Sequence, residues 1–270
     1  MMASHCPEAQ GKSIKRAVLT ESLLQCGRGP EYSGSLPDHQ PLAWRRAGRD
    51  TAGPDHLQES TMAARAALQA RLEQGIAELG LTLPVEAVPR LLDYQALLER
   101  WNAAYNLTAV RDPMEMVTRH LLDSLAILPF VHGASLADLG TGPGLPGIVL
   151  AIAAPGREML LVDSNGKKVR FLREAIRALK LESVRALQSR VEDVEGQFDC
   201  VTARAFASLA DMLGWGGHLL APDGIWLAMK GKRPDDELAG IPPGFGVRST
   251  HELSVPGLPA ERHLLVLGRA

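Results

Sequence analysis

A ten-residue segment, DLGTGPGLPG from Asp138 to Gly147, combines four glycines, two prolines and a leading carboxylate. Glycine permits positive φ and lets a ligand approach the backbone closely, whereas proline fixes φ and removes an N–H donor. The segment follows a short apolar run, SLADL, and the next apolar run, EMLLVD, ends on a second carboxylate, Asp163. This pattern predicts a binding loop for a small polar ligand, with two carboxylates at neighbouring strand ends.

Two classes of cofactor compete for this loop. From Gly142 onward, GPGLPG fits the dinucleotide fingerprint GxGxxG, but Pro143 and Pro146 would each remove an N–H from a loop that has to bind pyrophosphate. From Asp138 onward, DLGTGPG resembles the first motif of class I S-adenosylmethionine (SAM) methyltransferases, in which the strand-end carboxylate orients the methionine part of the cofactor. SAM carries no phosphate, so the loop favours SAM over a dinucleotide. Asp163 fits the ribose hydroxyls of either cofactor.

Short apolar segments alternate with helical segments from residue 132 to the C-terminus. This alternation predicts an α/β fold with a mostly parallel sheet of seven strands, in which the last two segments, FGVRSTHEL and RHLLVLGRA, form an antiparallel edge. Residues 62–131 show helical periodicity and predict an N-terminal helical cap, with Asp112 as an N-cap before Pro113. Ligands of such sheets bind beyond the carboxyl ends of the strands, where the glycine loop lies.

Residues 1–60 lack a sustained period of 2 or 3.6. We therefore expect them to be a disordered tail, or an N-terminal extension that precedes a start at Met62. N-terminal sequencing of the native protein tests the second version, because a mature end near residue 1 would contradict it.

The composition argues against several classes of protein. A net charge of −2 argues against binding nucleic acid through bulk charge alone, and no apolar run is long enough to cross a membrane. Three cysteines without a CxxC pair predict no metal site and no disulfide framework, which is typical of the reducing cytoplasm. No feature demands a dimer, so we expect a monomer.

One stretch, residues 164–190, departs from the overall charge because it holds eight basic side chains and two acidic ones. It begins directly after Asp163, so three of its cations, Lys167, Lys168 and Arg170, are candidates for contact with phosphates, and a solvated helix face is the alternative.

Seven segments together resemble one known family: WNAAYNLTAVRDP, RHLLDSLAI, LADLGTGPGLPGIVLA, LLVDSNGKKVRFLREA, LQSRVED, TARAFASL and ERHLLVL. The resemblance, which covers about residues 95–268, is to ribosomal RNA small subunit methyltransferase G, also called glucose-inhibited division protein B. It implies a class I, Rossmann-like methyltransferase fold, SAM as cofactor, and methylation of N7 of one guanosine in 16S rRNA of the 30S subunit.

The resemblance also implies roles for individual residues. Gly140 and Leu145 would contact SAM, Asp163 would bind its ribose, and Val191 with Glu192 would flank its adenine. Together with the loop, the candidate cofactor residues are Asp138, Gly140, Thr141, Gly142, Gly144, Leu145, Asp163, Val191, Glu192 and Arg204. Arg119 and His120, in the segment RHLLDS, join the candidate RNA-binding residues at the rim of the site.

Guanine N7 has a free lone pair, so its methylation needs positioning and no general base. Arg204 and Lys230 lie at strand ends, and either is a candidate to select guanine through O6. Two alternatives stay open: a class I methyltransferase for a small molecule or protein, and an NAD(P)-dependent oxidoreductase. A scaffold without activity is a third, which no residue favours.

Overall fold

The computed structural model describes residues 54–270, with side chains from residue 60 onward. Within this part of the chain, seven strands form one sheet in the order β3-β2-β1-β4-β5-β7-β6. The strands are β1 Ser135–Leu139, β2 Glu158–Asp163, β3 Val184–Gln188, β4 Phe198–Arg204, β5 Leu220–Lys230, β6 Phe245–Glu252 and β7 His263–Arg269.

The first five strands are parallel, and β7 pairs antiparallel with both β5 and β6. The predicted sheet with its antiparallel C-terminal edge is therefore confirmed. The chain runs outward from β1 through β2 to β3 and then crosses back to β4 on the other side of β1. This reversal makes the carboxyl end of β1 the topological switch point, where such sheets bind ligands.

Eight α-helical segments surround the sheet in the described residues. They are α1 Pro54–Glu78, α2 Ala87–Tyr105, α3 Pro113–Met116, α4 Asp123–Leu125, α5 Gly147–Ala153, α6 Gly166–Ala178, α7 Leu209–Gly216 and α8 Asp235–Leu238. A π-helix, Val117–Leu122, joins α3 to α4. Asp112 caps α3 as expected, since its carboxylate accepts the Glu115 N–H at 2.8 Å.

Two features differ from the expectations. Helix α1 begins at Pro54, inside the stretch 1–60 that was expected to lack structure, and the remainder of that prediction, residues 1–53, lies outside the described residues. Helix α8 was not expected, since four residues carry no periodic signal.

The helical front section packs onto the sheet through one shared hydrophobic cluster. That cluster joins Leu91 and Leu98 of α2 to Ile148 of α5, Phe171 of α6 and Leu227 of β5. A second cluster, built around Trp226, fills the opposite face beneath α7. In residues 54–270, no helix combines the length and apolar character that a membrane span requires.

Candidate active site

Asp138 lies directly beneath the glycine loop. Its side chain is fully buried, and Oδ2 accepts the Thr141 hydroxyl and, at 2.8 Å, the Gly147 N–H. Burial raises the pKa of Asp138 to about 7. The carboxylate therefore fixes the loop through Oδ2, while its Oδ1 has no hydrogen-bond partner among the described residues. Asp138 is not among the residues that line the two cavities at this end of the sheet, and its contact with the cofactor stays a prediction.

The backbone N–H groups of the loop already donate to acceptors in the loop and in the neighbouring strand β2. The Thr141 N–H donates to the Val162 carbonyl, and the N–H groups of Gly144 and Leu145 both donate to the Thr141 carbonyl. Gly142 donates to Oδ2 of Asp163 at 3.0 Å. Because Pro143 and Pro146 have no N–H, residues 141–147 hold no backbone donor for a pyrophosphate. The loop therefore does not suit a dinucleotide.

Glycine is required at two positions of the loop for different reasons. Gly142 has a φ of +63°, and a Cβ placed there would meet nothing within 4 Å, which leaves open space beside the loop. A Cβ on Gly144 would meet Ile148 and Leu172 inside the core. Gly144 therefore packs the loop against α5 and α6, and its contact with the cofactor stays a prediction.

Asp163 lies at the carboxyl end of β2, where the sequence placed it. Its Oδ1 accepts the Asn165 N–H at 2.8 Å, and its Oδ2 lies 3.5 Å from Nζ of Lys168. Lys168 was expected to contact phosphate, but here its ammonium is paired with this carboxylate. Each carboxylate oxygen has more than one lone-pair direction, so Asp163 keeps acceptor capacity toward the cavity beside it.

The first cavity, of about 480 Å³, opens beside Asp163. It is lined by Gly140, Val162, Asp163, Ser164, Lys168, Ser189, Arg190, Val191, Glu192, Ala205, Phe206 and Trp215. Phe206 and Trp215 form an edge-to-face aromatic pair with ring centroids 5.8 Å apart. The lining therefore combines an apolar, aromatic surface with the carboxylate of Asp163, a combination that fits a nucleoside.

A second cavity, of about 510 Å³, is lined by residues 140–143 and Leu145 of the loop. Gly140, Lys168 and Ala205 line both cavities, so the two spaces adjoin at these residues. The remaining lining residues are Val110, Arg119, His120, Asp123, Thr141, Gly142, Pro143, Leu145, Met229, Lys230, Gly231, Arg204 and Arg262. A cofactor extending from the first cavity would therefore reach a second, cationic space.

Asp123 organises one wall of the second cavity. Its carboxylate is buried and lies between two guanidinium groups, with Nη1 of Arg204 3.0 Å from Oδ2 and Nε of Arg262 2.8 Å from Oδ1. The prediction that Arg204 lies at the site is consistent with this position at the end of β4.

His120 does not provide a cation. Its Nε2 hydrogen-bonds Oγ1 of Thr108 at 2.9 Å, and burial, reinforced by Arg204, lowers its pKa to about 4. The neutral ring lines the second cavity, and its Nδ1 has no partner among the described residues, so a contact of His120 with RNA would be a hydrogen bond and not an ion pair.

Lys230 likewise has no free N–H donor for the target nucleobase. Its Nζ donates to both carboxylate oxygens of Glu237, at 3.0 and 2.8 Å, and to the Ala207 carbonyl at 2.8 Å. An ammonium has three N–H donors, so all of them are used. Lys230 anchors α8 to the sheet, and Arg204 is left as the guanine-selecting candidate.

The basic helix α6 exposes most of its cations. Lys167, Arg170 and Arg173 are exposed, and Arg177 pairs with Glu174 at 2.8 Å. Arg119 is half exposed beside the second cavity, 3.4 Å from a Glu115 oxygen. In residues 54–270, no group of three His, Cys, Asp or Glu side chains is placed to bind a metal ion.

Sequence reasoning missed the aromatic wall and Arg262. Phe206 and Trp215 gave only the weak signal of aromatic residues after a strand end and on a short helix. Arg262 meets Asp123 across 139 positions of the chain, and no local pattern reveals such a contact.

Comparison with known proteins shows the family of this chain. Residues 87–265 match the family model described as rRNA small subunit methyltransferase G. The chain belongs to this family. The protein of that name from Stenotrophomonas maltophilia (strain K279a) is 58% identical over 204 residues, which cover 75% of this chain and 95% of that protein. Its counterpart from Xanthomonas euvesicatoria pv. vesicatoria (strain 85-10) is 54% identical over 202 residues, which cover 74% and 94%.

Membership of the rRNA small subunit methyltransferase G family confirms the resemblance found in the sequence. The sheet order and antiparallel edge are those of the class I SAM-dependent methyltransferase fold. The oxidoreductase alternative is not favoured. This agrees with the finding that the backbone N–H groups of residues 141–147 already have acceptors within the protein and leave no donor for a pyrophosphate. Among solved structures, TrmN from Thermus thermophilus is 21% identical, with a TM-score of 0.48 over 57% of this chain and 53% of that one.

Proposed function

We propose that this protein transfers a methyl group from SAM to N7 of one guanosine in the 16S rRNA of the 30S subunit. The observation that carries the proposal is the pair of cavities meeting at Gly140, Lys168 and Ala205. One cavity has the carboxylate and aromatic walls that suit a nucleoside, and the other is lined by cationic side chains that suit a nucleotide of RNA. Family membership supports the rRNA substrate.

The residues of the first cavity fit SAM. Asp163 would accept the ribose hydroxyls, Val191 and Glu192 would flank the adenine, and the exposed ring of Trp215 offers a stacking surface. Leu145 and Thr141 line the second cavity beside the loop, where the methionine part would extend. Bound SAM supplies a methyl group that is activated by its sulfonium charge.

The proposed reaction asks for no general base in the second cavity. His120 is hydrogen-bonded to Thr108 through Nε2, and Asp123 is paired with two arginines. Guanine N7 is a lone-pair nucleophile that needs no deprotonation, so the task of these residues is to hold the base in line with the methyl group. Arg204 is positioned to donate to O6 while it leaves N7 free.

The exposed cations of α6 supply the RNA surface in this proposal. Lys167 and Arg170, on the first two turns of α6 after Asp163, would contact phosphates. Lys168 would join them if its ammonium left the carboxylate of Asp163. Such contacts make binding strongly dependent on salt. A KM for rRNA that stays constant between low and physiological salt would contradict this role.

A 16S rRNA substrate places the enzyme in the cytoplasm, where we propose that it acts as a monomer without a metal ion. A small-molecule or protein substrate is the weaker candidate, because the cations of α6 would then have no role.

Methyl transfer from labelled SAM to 30S subunits lacking the mark tests the function, with the product mapped by nuclease digestion and mass spectrometry. We expect 7-methylguanosine at one site in 16S rRNA. Asp163→Asn should abolish transfer, and the matched change at exposed Asp223, Asp223→Asn, should preserve it. If SAM binds but neither subunits nor free 16S rRNA are methylated, the substrate assignment is wrong.

A further inference from the structure

The buried carboxylate of Asp123 fixes two guanidinium groups that come from distant parts of the chain. Arg204 ends β4, and Arg262 immediately precedes β7. Their nitrogens lie 3.0 and 2.8 Å from the two different oxygens of Asp123. The Asp123 side chain is only 3% exposed, so water competes little for these contacts.

The donors of Arg262 are only partly used. Its Nε donates to Asp123, and its Nη1 donates to the Glu261 carbonyl at 2.8 Å. In the described part of the chain, its Nη2 has no hydrogen-bond partner, although Arg262 lines the second cavity. A guanidinium offers two N–H donors at Nη2, so this edge can bind an oxygen acceptor.

The charges around Arg262 favour an electron-rich ligand. Lys168 and Lys230 also line the cavity, but each is paired with another carboxylate, Asp163 and Glu237 respectively. Arg204 and Arg262 share the single carboxylate of Asp123, which leaves this group of three side chains with one net positive charge. A guanidinium is always protonated, so this charge persists at every physiological pH.

We propose that Arg262 is a recognition residue that binds an oxygen acceptor of the target nucleotide, and that Asp123 is the positioning residue that orients it. The acceptor is either O6 of guanine or a phosphate oxygen of the same nucleotide, and both have the chemistry that Nη2 requires. Asp123 also holds Nη1 of Arg204, so one carboxylate aligns the two arginines of the substrate cavity. This inference rests on the proposed rRNA methylation.

Steady-state methylation of unmodified 30S subunits by the full-length chain tests the inference through Arg262→Lys and Asp123→Asn. Lysine keeps the charge but loses the planar two-nitrogen edge. We expect Arg262→Lys to raise the KM for subunits about ten- to hundred-fold, the effect of one charge-assisted hydrogen bond. The inference requires the dissociation constant of S-adenosylhomocysteine to change less than two-fold, because a larger change would mean that Arg262 binds the carboxylate of the cofactor in the second cavity that it lines.

Asp123→Asn should raise the same KM, and the two changes combined should raise it less than the product of the separate effects. Arg248→Lys, an exposed residue of the edge strand β6, is the matched control and should behave as wild type. Thermal unfolding of each variant shows whether it folds, and Arg262→Lys keeps the test valid if Asp123→Asn does not.

The salt dependence of kcat/KM identifies the acceptor. If Arg262 binds a phosphate, Arg262→Met should reduce the slope of log kcat/KM against log salt by about 0.7 to 0.9, and if it binds O6 the slope should not change. An unchanged KM for Arg262→Lys overturns the inference, as does an equal loss of cofactor affinity. Wild-type protein that methylates no subunits would instead refute the proposed function, and the inference with it.

Discussion

Replacing Asp138 by asparagine should change the pH dependence of the free energy of unfolding. Burial of Asp138 beneath the glycine loop raises its pKa from 3.8 to about 7, although the hydrogen bonds from Thr141 and Gly147 oppose this rise. The folded chain therefore holds this proton more tightly than the unfolded chain. It follows that the contribution to stability is complete below pH 3.8 and is lost as the pH rises to 7.

The magnitude follows from the two pKa values. Each pH unit between them costs the wild type about 1.4 kcal/mol, so the change from pH 5 to pH 8 costs about 3 kcal/mol. Asparagine keeps a carbonyl oxygen for the two donors but does not ionise. Its amide adds a cost for an unpaired N–H group, which is the same at every pH and cancels from the comparison.

Urea unfolding of wild type and Asp138→Asn between pH 5 and pH 8 measures the effect. The variant should gain about 3 kcal/mol relative to wild type across this range, and contributions from every other group cancel in the difference. The same change at exposed Asp223 controls for the loss of one carboxylate. Parallel curves for Asp138→Asn and wild type would refute the argument that burial dominates the ionisation of Asp138.

Three further predictions concern the surroundings of the site. His120→Gln should reduce the loss of unfolding free energy at acid pH, because the buried ring has a pKa of about 4 and takes up its proton only on unfolding. In urea unfolding, wild type should lose about 2 kcal/mol more than the variant between pH 7 and pH 5. Gly147→Ala places a Cβ 2.3 Å from the Leu161 side chain and should lower the Tm by about 4 to 10 °C, whereas Gly214→Ala, with nothing within 4 Å, should not. Lys230→Met removes the ammonium from Glu237, which keeps only the Leu209 N–H as a donor, and should cost about 1 to 3 kcal/mol in urea unfolding, while the KM for 30S subunits stays within two-fold; a large rise in KM would return Lys230 to the substrate site.

The sheet was predictable because each strand leaves a local signal. The apolar runs SLADL and EMLLVD match β1 and β2 to the residue, and each ends beside the residues that shape the loop. Asp112 could be recognised as a cap because capping depends on a carboxylate and on an amide three residues later. Features fixed by spacing within one element are visible in a sequence.

The partners of the charged side chains were not predictable. Lys230 meets Glu237 only because α8 folds back toward the end of β5, and Lys168 turns to Asp163 from the first turn of α6. A strand-end lysine that contacts RNA and one that pairs internally have the same local sequence. Only the fold shows which of them is free.

The glycine loop does not depend on a ligand for its order. Because its amides already donate to Val162, Thr141, Asp163 and Asp138, SAM would enter a loop that is folded in advance and would lose little affinity to the conformational entropy of ordering it. Amide hydrogens of residues 141–147 should therefore exchange slowly with solvent in the free enzyme, and SAM should slow them only slightly further.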